Sequence, residues 1–164
     1  MELRNVGLLD KIVNDFLRPY GCTARFGLDF CYWTADEEIE YAVVVPEEDN
    51  RLFQNFIDNI FNPDVKLPTF VWSILHELGH HMTMDEISAE GFAYSEFIKR
   101  SIELDENGDK EKNFTIYASL PDEYAATKWA VEYANANFER VKKFWEDFRE
   151  ELMRFYEVND IKED

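Results

Sequence analysis

The chain has 164 residues, with 35 Asp and Glu against 17 Lys and Arg, a formal net charge of −18 and 16% aromatic residues. Such a surface repels phosphates, which argues against direct binding to nucleic acid or to an anionic membrane. A content of 14 phenylalanines in a chain of one-domain length argues against disorder and predicts one packed core.

Residues 1 to 10 lack a basic start followed by an apolar stretch of signal-peptide length, and no later run reaches membrane-span length, so a cytoplasmic protein is expected. Val6, Leu9, Val13 and Phe16, supported by Leu8, Ile12 and Leu17, predict an amphipathic helix that ends before Pro19-Tyr20-Gly21. The period then shortens. Ala24 to Trp33 and Ile39 to Val45 are rich in β-branched and aromatic residues and flank a polar turn from Thr34 to Glu38. They predict two antiparallel strands, with a third left open, lying against helices because a lone hairpin is marginal in water. Cys22 and Cys31 form neither a disulfide framework nor a C-x-x-C pair and read as reduced thiols; pairing across the hairpin is the alternative.

Pro46 closes the sheet, and Leu52, Phe53, Phe56, Ile57 and Ile60 predict a helix over 50–61, broken by Asn62-Pro63-Asp64 and Pro68. The next helix is predicted from an N-cap at Thr69 to Met82. Val71, Leu75, Leu78 and Met82 form its apolar stripe, widened by Phe70, Trp72 and Ile74, so it is expected to be buried with one polar side.

That polar side carries His76-Glu77-Leu78-Gly79-His80, an H-E-x-x-H motif. At about 100° per residue the two histidines lie about 40° apart, so both imidazoles reach a single tetrahedral zinc. Glu77 is offset by one residue, beside the metal without ligating it, where it can take the proton of a zinc-activated water. Histidines on the polar stripe of a core helix, each satisfied by a neighbouring group, are the competing reading. Two of the chain's three histidines at this spacing, with Glu after the first, are the sharper signal for a metal. His81 points about 140° away from His76 and reads as a helix-end histidine near the negative end of the helix dipole.

Thr83-Met84-Asp85-Glu86 matches a capping box opening a helix through Ile87, Tyr94, Phe97, Ile98 and Ile102. Glu103 to Asn113 reads as a charged loop without calcium-loop spacing. From Ser119-Leu120-Pro121 to about residue 156 the pattern is one long helix. Within it Val131, Ala134, Phe138, Val141, Trp145, Phe148, Leu152 and Phe155 keep a heptad rhythm. The N-terminal helix is the expected partner of that seam; a second copy, giving a homodimer, or another protein is the alternative. The expected whole is a single α+β domain over 1–164, mainly helical. A small antiparallel sheet packs beside the H-E-x-x-H helix, and a long C-terminal helix follows.

A catalytic zinc takes three protein ligands and keeps a fourth position for water, so a third ligand must come from elsewhere. No fourth histidine exists, which leaves carboxylates. Glu86 stands six residues after His80, where a metzincin places its third histidine, but Thr83 occupies the glycine position that pattern needs. Glu90 lies one turn into the following helix. Glu123 is the strongest candidate, because it heads a helix in which Ala126 and Ala130 permit close approach to the histidine helix.

His76-Glu77-Leu78-Gly79-His80 followed about forty residues later by Glu123-x-x-Ala126-x-x-Trp129-Ala130 resembles the ImmA/IrrE-type zinc peptidases of bacteria, phages and mobile elements. The family pattern is H-E-x-G-H with a later E-x-x-A-x-x-F-A, and the likeness covers roughly residues 1 to 135. Trp129 replaces the usual Phe, and the long aromatic helix replaces the family's usual ending. The resemblance implies a zincin-like domain with one Zn2+ per chain, Glu123 as third ligand, Glu77 as base, and cleavage of a repressor or other regulatory protein. The expected function is thus a zinc-dependent endopeptidase. Tyr94, Tyr117 and Tyr124 are eligible as a further donor to the oxyanion. The alternative is a non-catalytic acidic module that engages a regulator through its surface or its C-terminal helix.

Overall fold

Apolar residues three and four apart produce α1 (Val6–Leu17), which buries Leu9, Val13, Phe16 and Leu17 while Leu8 remains exposed. The computed structural model describes residues 3–27, 32–33, 38–42 and 47–161. A 3-10 turn over Arg18–Tyr20 follows α1 and closes at Gly21, whose φ of 68° lies in the left-handed region that glycine enters without strain. The chain then forms β1 (Thr23–Phe26), β2 (Tyr32–Trp33) and β3 (Glu38–Tyr41).

The expected antiparallel sheet is not what forms. Strand order is β1-β3-β2, with β1 parallel to β3, Thr23 opposite Glu38 and Phe26 opposite Tyr41; β2 runs antiparallel to β3. The reason lies partly on α1. The Asn14 side chain donates to the Ala24 carbonyl and accepts from the Ala24 amide, each at 2.8 Å, which satisfies one edge of β1. The opposite edge of β1 faces β3, and β2 takes the far side of β3. Ile39 and Tyr41 are thereby turned into the core, both fully buried. Cys31, the polar turn from Thr34 and the stretch from Val43 to Pro46 lie outside the described residues.

α2 (Glu47–Phe56) runs on through a π-helical turn at Ile57–Phe61 and stops at Asn62, in the left-handed region at φ 43°. α3 (Thr69–Thr83) begins after Pro68, whose carbonyl accepts from the Val71 and Trp72 amides at 2.9 and 3.2 Å. Thr69, expected as its N-cap, is already helical, and its hydroxyl donates to Gln54 Oε1 at 2.9 Å. Val71, Trp72, Ile74, Leu75 and Leu78 are buried; Met82, expected on the same stripe, is exposed.

The expected capping box at Thr83 is absent. Its hydroxyl donates back to the Gly79 carbonyl at 2.8 Å, a helix-interior bond open to threonine, and Met84–Glu86 is a 3-10 turn. α4 (Ala89–Glu103) starts instead from Ser88, whose side chain accepts from the Gly91 amide at 3.0 Å. The expected charged loop is shorter than its composition suggests, because Asp109 caps α5 (Lys110–Ala118) by accepting from the Lys112 amide at 2.8 Å.

The single helix expected over 121–156 is two. α6 (Pro121–Ala136) ends and α7 (Phe138–Asn159) begins at Asn137, which leaves the helical region at φ −126°, ψ 35°. Both its backbone amide, at 2.8 Å, and its side-chain amide, at 3.0 Å, bond the Tyr133 carbonyl. A side chain that competes for a helix carbonyl is a local alternative to continuing the helix. The heptad rhythm persists across the break because both helices bury apolar faces in one core.

α7 lies on α1, where the Phe16 and Phe144 rings stack with centroids 4.4 Å apart, and Phe148 stacks on Phe70 of α3 at 4.6 Å. Phe16, Phe144 and Phe148 are buried, and each contributes about 1.5–3 kcal/mol. α6 lies along α3, and small residues set the distance: Ala126, Ala130 and Ala134 are buried, and Gly79 on α3 meets the Ala126 backbone. Among the described residues no helix is long and apolar enough to cross a membrane.

Candidate metal centre

α3 presents His76 and His80 one turn apart, with ring centroids 4.7 Å from each other and planes 84° apart. Opposite them, the first turn of α6 directs Glu123 inward, where its side chain is only 4% exposed. Glu123 Oε2 lies 2.9 Å from His76 Nε2 and 3.2 Å from His80 Nε2. The ligand atoms of His76, His80 and Glu123 all fall within 4.8 Å of one another, a group that can hold a metal ion.

The hydrogen bonding behind the ligand atoms tests that fit. Thr127, one turn after Glu123, donates its hydroxyl proton to the Glu123 carbonyl at 3.1 Å, so its lone pair is left to accept from His76 Nδ1–H at 2.9 Å. In that tautomer His76 Nε2 faces a carboxylate oxygen at 2.9 Å. Two lone pairs cannot stay at that distance unless a proton or a cation lies between them. A histidine tied through one nitrogen and offering the other is the arrangement metal-binding histidines use.

Charge points the same way. Three carboxylates, Glu77, Asp122 and Glu123, are each less than 10% exposed, and Lys99 is the cation paired with Asp122 and Glu123. Burial alone raises the Glu123 pKa, but hydrogen bonds from His76 and His80 outweigh it and hold the carboxyl well below its ordinary range. Burial lowers the His80 pKa, and the hydrogen bond and charge of Glu123 more than reverse this, leaving it raised.

A stability prediction follows for the metal-free protein. The depressed Glu123 pKa contributes stability that is present above its ordinary value of 4.5 and lost as pH falls through the depressed one. The raised His80 pKa describes the same pair from the other side, fully present below 6.5 and lost as pH rises through the raised value. Chelator-treated protein is therefore expected to melt at a lower temperature at about pH 8 than at about pH 6 by scanning calorimetry. Metal-loaded protein should show the opposite trend, because protons compete for the ligand atoms.

Glu77 follows His76 on α3, is buried, and lines a cavity of about 340 Å³ together with His76, Glu123 and Thr127. Its charge acts on both His80 and Tyr117. Phe53, Phe114, Tyr117 and Ala118 form much of the remaining wall, with Asp49, Asn50 and Ser73. The size is that of a small-ligand or side-chain pocket. Tyr94, Tyr117 and Tyr124 are all exposed to solvent, but Tyr117 donates its hydroxyl to Glu123 Oε1 at 2.9 Å.

Glu86 and Glu90, the other carboxylates weighed as third ligand, are exposed and stand outside the group. His81 turns away and donates Nε2–H to the Tyr20 carbonyl at 2.8 Å, tying α3 to the turn after α1. Sequence reasoning missed Thr127, Asp122 and Lys99. Thr127 carried a signal, standing four residues after Glu123 and so on the same helical face. Lys99 carried none. Comparison of the chain with protein-family models, with curated proteins and with solved structures gives no match.

Proposed function

We propose that the protein is a zinc-dependent endopeptidase of the ImmA/IrrE type that its two motifs resemble, holding one zinc per chain and cutting a regulatory protein. The observation that carries this reading is the convergence of His76, His80 and Glu123 into one ligand group, with His76, Glu123 and Glu77 on the wall of a cavity. Two imidazoles and one carboxylate are a donor set that suits zinc and leaves a coordination position free. Zinc bound there supplies a Lewis acid that activates water toward a peptide carbonyl. Glu77 takes the proton of that water on its carboxylate and passes it to the leaving amine. His76 is kept in the ligating tautomer by Thr127, and the apolar wall of Phe53, Phe114 and Ala118 receives a side chain of the peptide. The net charge of −18 favours a basic substrate, a property common among regulators that bind nucleic acid.

A site serving only structure has no use for a carboxylate base beside an open position and a cavity, which weighs against the non-catalytic reading. The test joins metal content to cleavage. Mass spectrometry of untagged protein should find one zinc per chain, lost in His80→Ala and in Glu123→Ala. Zinc-loaded protein should also cut members of a proteome-derived peptide library, and a chelator should stop it. Absence of zinc after incubation with the metal would remove the centre; zinc retained with no peptide cut would remove the peptidase.

A further inference from the structure

Asp122 and Glu123 are neighbours in sequence, and both are buried, at 5% and 3% exposure. Two adjacent carboxylates away from water are costly unless a cation meets them. α4 supplies it: Lys99 Nζ lies 2.7 Å from Asp122 Oδ2 and 2.8 Å from Glu123 Oε1. The same ammonium sits 5.3 Å from the centre of the Tyr117 ring, whose hydroxyl also donates to Glu123 Oε1. α4 otherwise contributes little to the interior. Ser95 is its only buried residue among those described, and Tyr94 and Phe97 stand in solvent.

The two oxygens of Glu123 are thereby given different surroundings. Oε1 receives an ammonium and a phenol, and Oε2 faces His76 and His80. An oxygen already engaged by two strong donors is a poor metal ligand. We propose that Lys99, backed by Asp122 and joined by Tyr117, is a positioning residue of the metal centre: it holds Oε1 so that Glu123 meets the metal through Oε2 alone. The inference rests on the metal-centre reading above. Its consequence is functional, because a carboxylate turning to bind through both oxygens would occupy the position that water and substrate need.

Cobalt(II), added to the full-length metal-free protein, tests this without reference to catalysis. Four-coordinate cobalt(II) absorbs visible light far more strongly than five-coordinate, so the spectrum reports how Glu123 binds. Wild type is expected to give the strong band, and Lys99→Met a weak one with affinity reduced about 10- to 100-fold. Lys99→Arg, which keeps the cation, should retain the strong band. Tyr117→Phe should weaken it in part. A Lys99→Met protein with wild-type band and affinity overturns the proposal. If that variant fails to fold by circular dichroism, Tyr117→Phe decides, and an unchanged band there overturns it equally. A wild type that takes up no cobalt removes the metal centre itself and this inference with it, a result distinct from cobalt bound with an insensitive spectrum.

Discussion

Glu77→Gln is expected to keep its metal and lose about two to four orders of magnitude in kcat, the range a positioned general base supplies. The substitution is nearly isosteric and removes the proton acceptor alone. Its side chain is buried beside His76 on the cavity wall, and its charge acts on His80 and on Tyr117, so the carboxylate is close to the place where a base is needed. The ligand atoms belong to His76, His80 and Glu123, and none of these changes. Folding should also survive, since the variant removes one of the three buried carboxylates around the site, Glu77, Asp122 and Glu123. Zinc content and cleavage rate are measured on the same preparation. Full activity with zinc still bound would assign the base elsewhere and sink the mechanism.

Much of this centre was legible because its chemistry is periodic. His76 and His80 share a face through the helical repeat alone, and Glu77 is placed by its single-residue offset. Glu123 was legible through its neighbours: Ala126 and Ala130 mark a helix face that can approach another backbone closely, and that is the face lying on α3. Lys99 was not legible. It is one of 17 basic residues, and its role depends on how α4 meets α6, which no local pattern encodes.

The errors share that origin. Residues from Ala24 to Trp33 read as one strand, yet β1 ends at Phe26 and its outer edge is satisfied by Asn14 from a helix ten positions earlier. Which edge of β1 was left to pair was therefore set by a tertiary contact that β propensity does not describe. Asn137 sat inside an unbroken heptad rhythm, and the rhythm describes burial, not continuity. Thr83 and Glu86 satisfied the spacing of a capping box, but the threonine hydroxyl found the Gly79 carbonyl first. In each case a short polar side chain took a backbone partner that composition leaves open.

Gly79→Ala is expected to weaken both the fold and the metal centre, against the sign that helix propensity alone would give. In an exposed helix interior the exchange stabilises by about 1 kcal/mol, since alanine loses less conformational freedom than glycine. Here a Cβ on Gly79 would lie 2.3 Å from the Ala126 carbonyl oxygen and 2.9 Å from both its carbonyl carbon and its Cα. These are backbone atoms, so no side chain can swing aside, and α3 and α6 must separate. Overpacking of this kind costs about 1–3 kcal/mol, and occasionally more. The separation acts directly on function, because His80 is adjacent to Gly79 and Glu123 is three residues before Ala126 on the opposing helix. Urea unfolding of the chelated protein isolates the packing effect, and zinc titration of the refolded variant reads the displacement of Glu123. Ala126→Gly should not rescue the double variant, since the contact is with the carbonyl rather than with a methyl group. A Gly79→Ala protein that is more stable than wild type and binds zinc as tightly would mean that the two helices do not meet at this glycine, and the geometry of the centre would have to be drawn again from there.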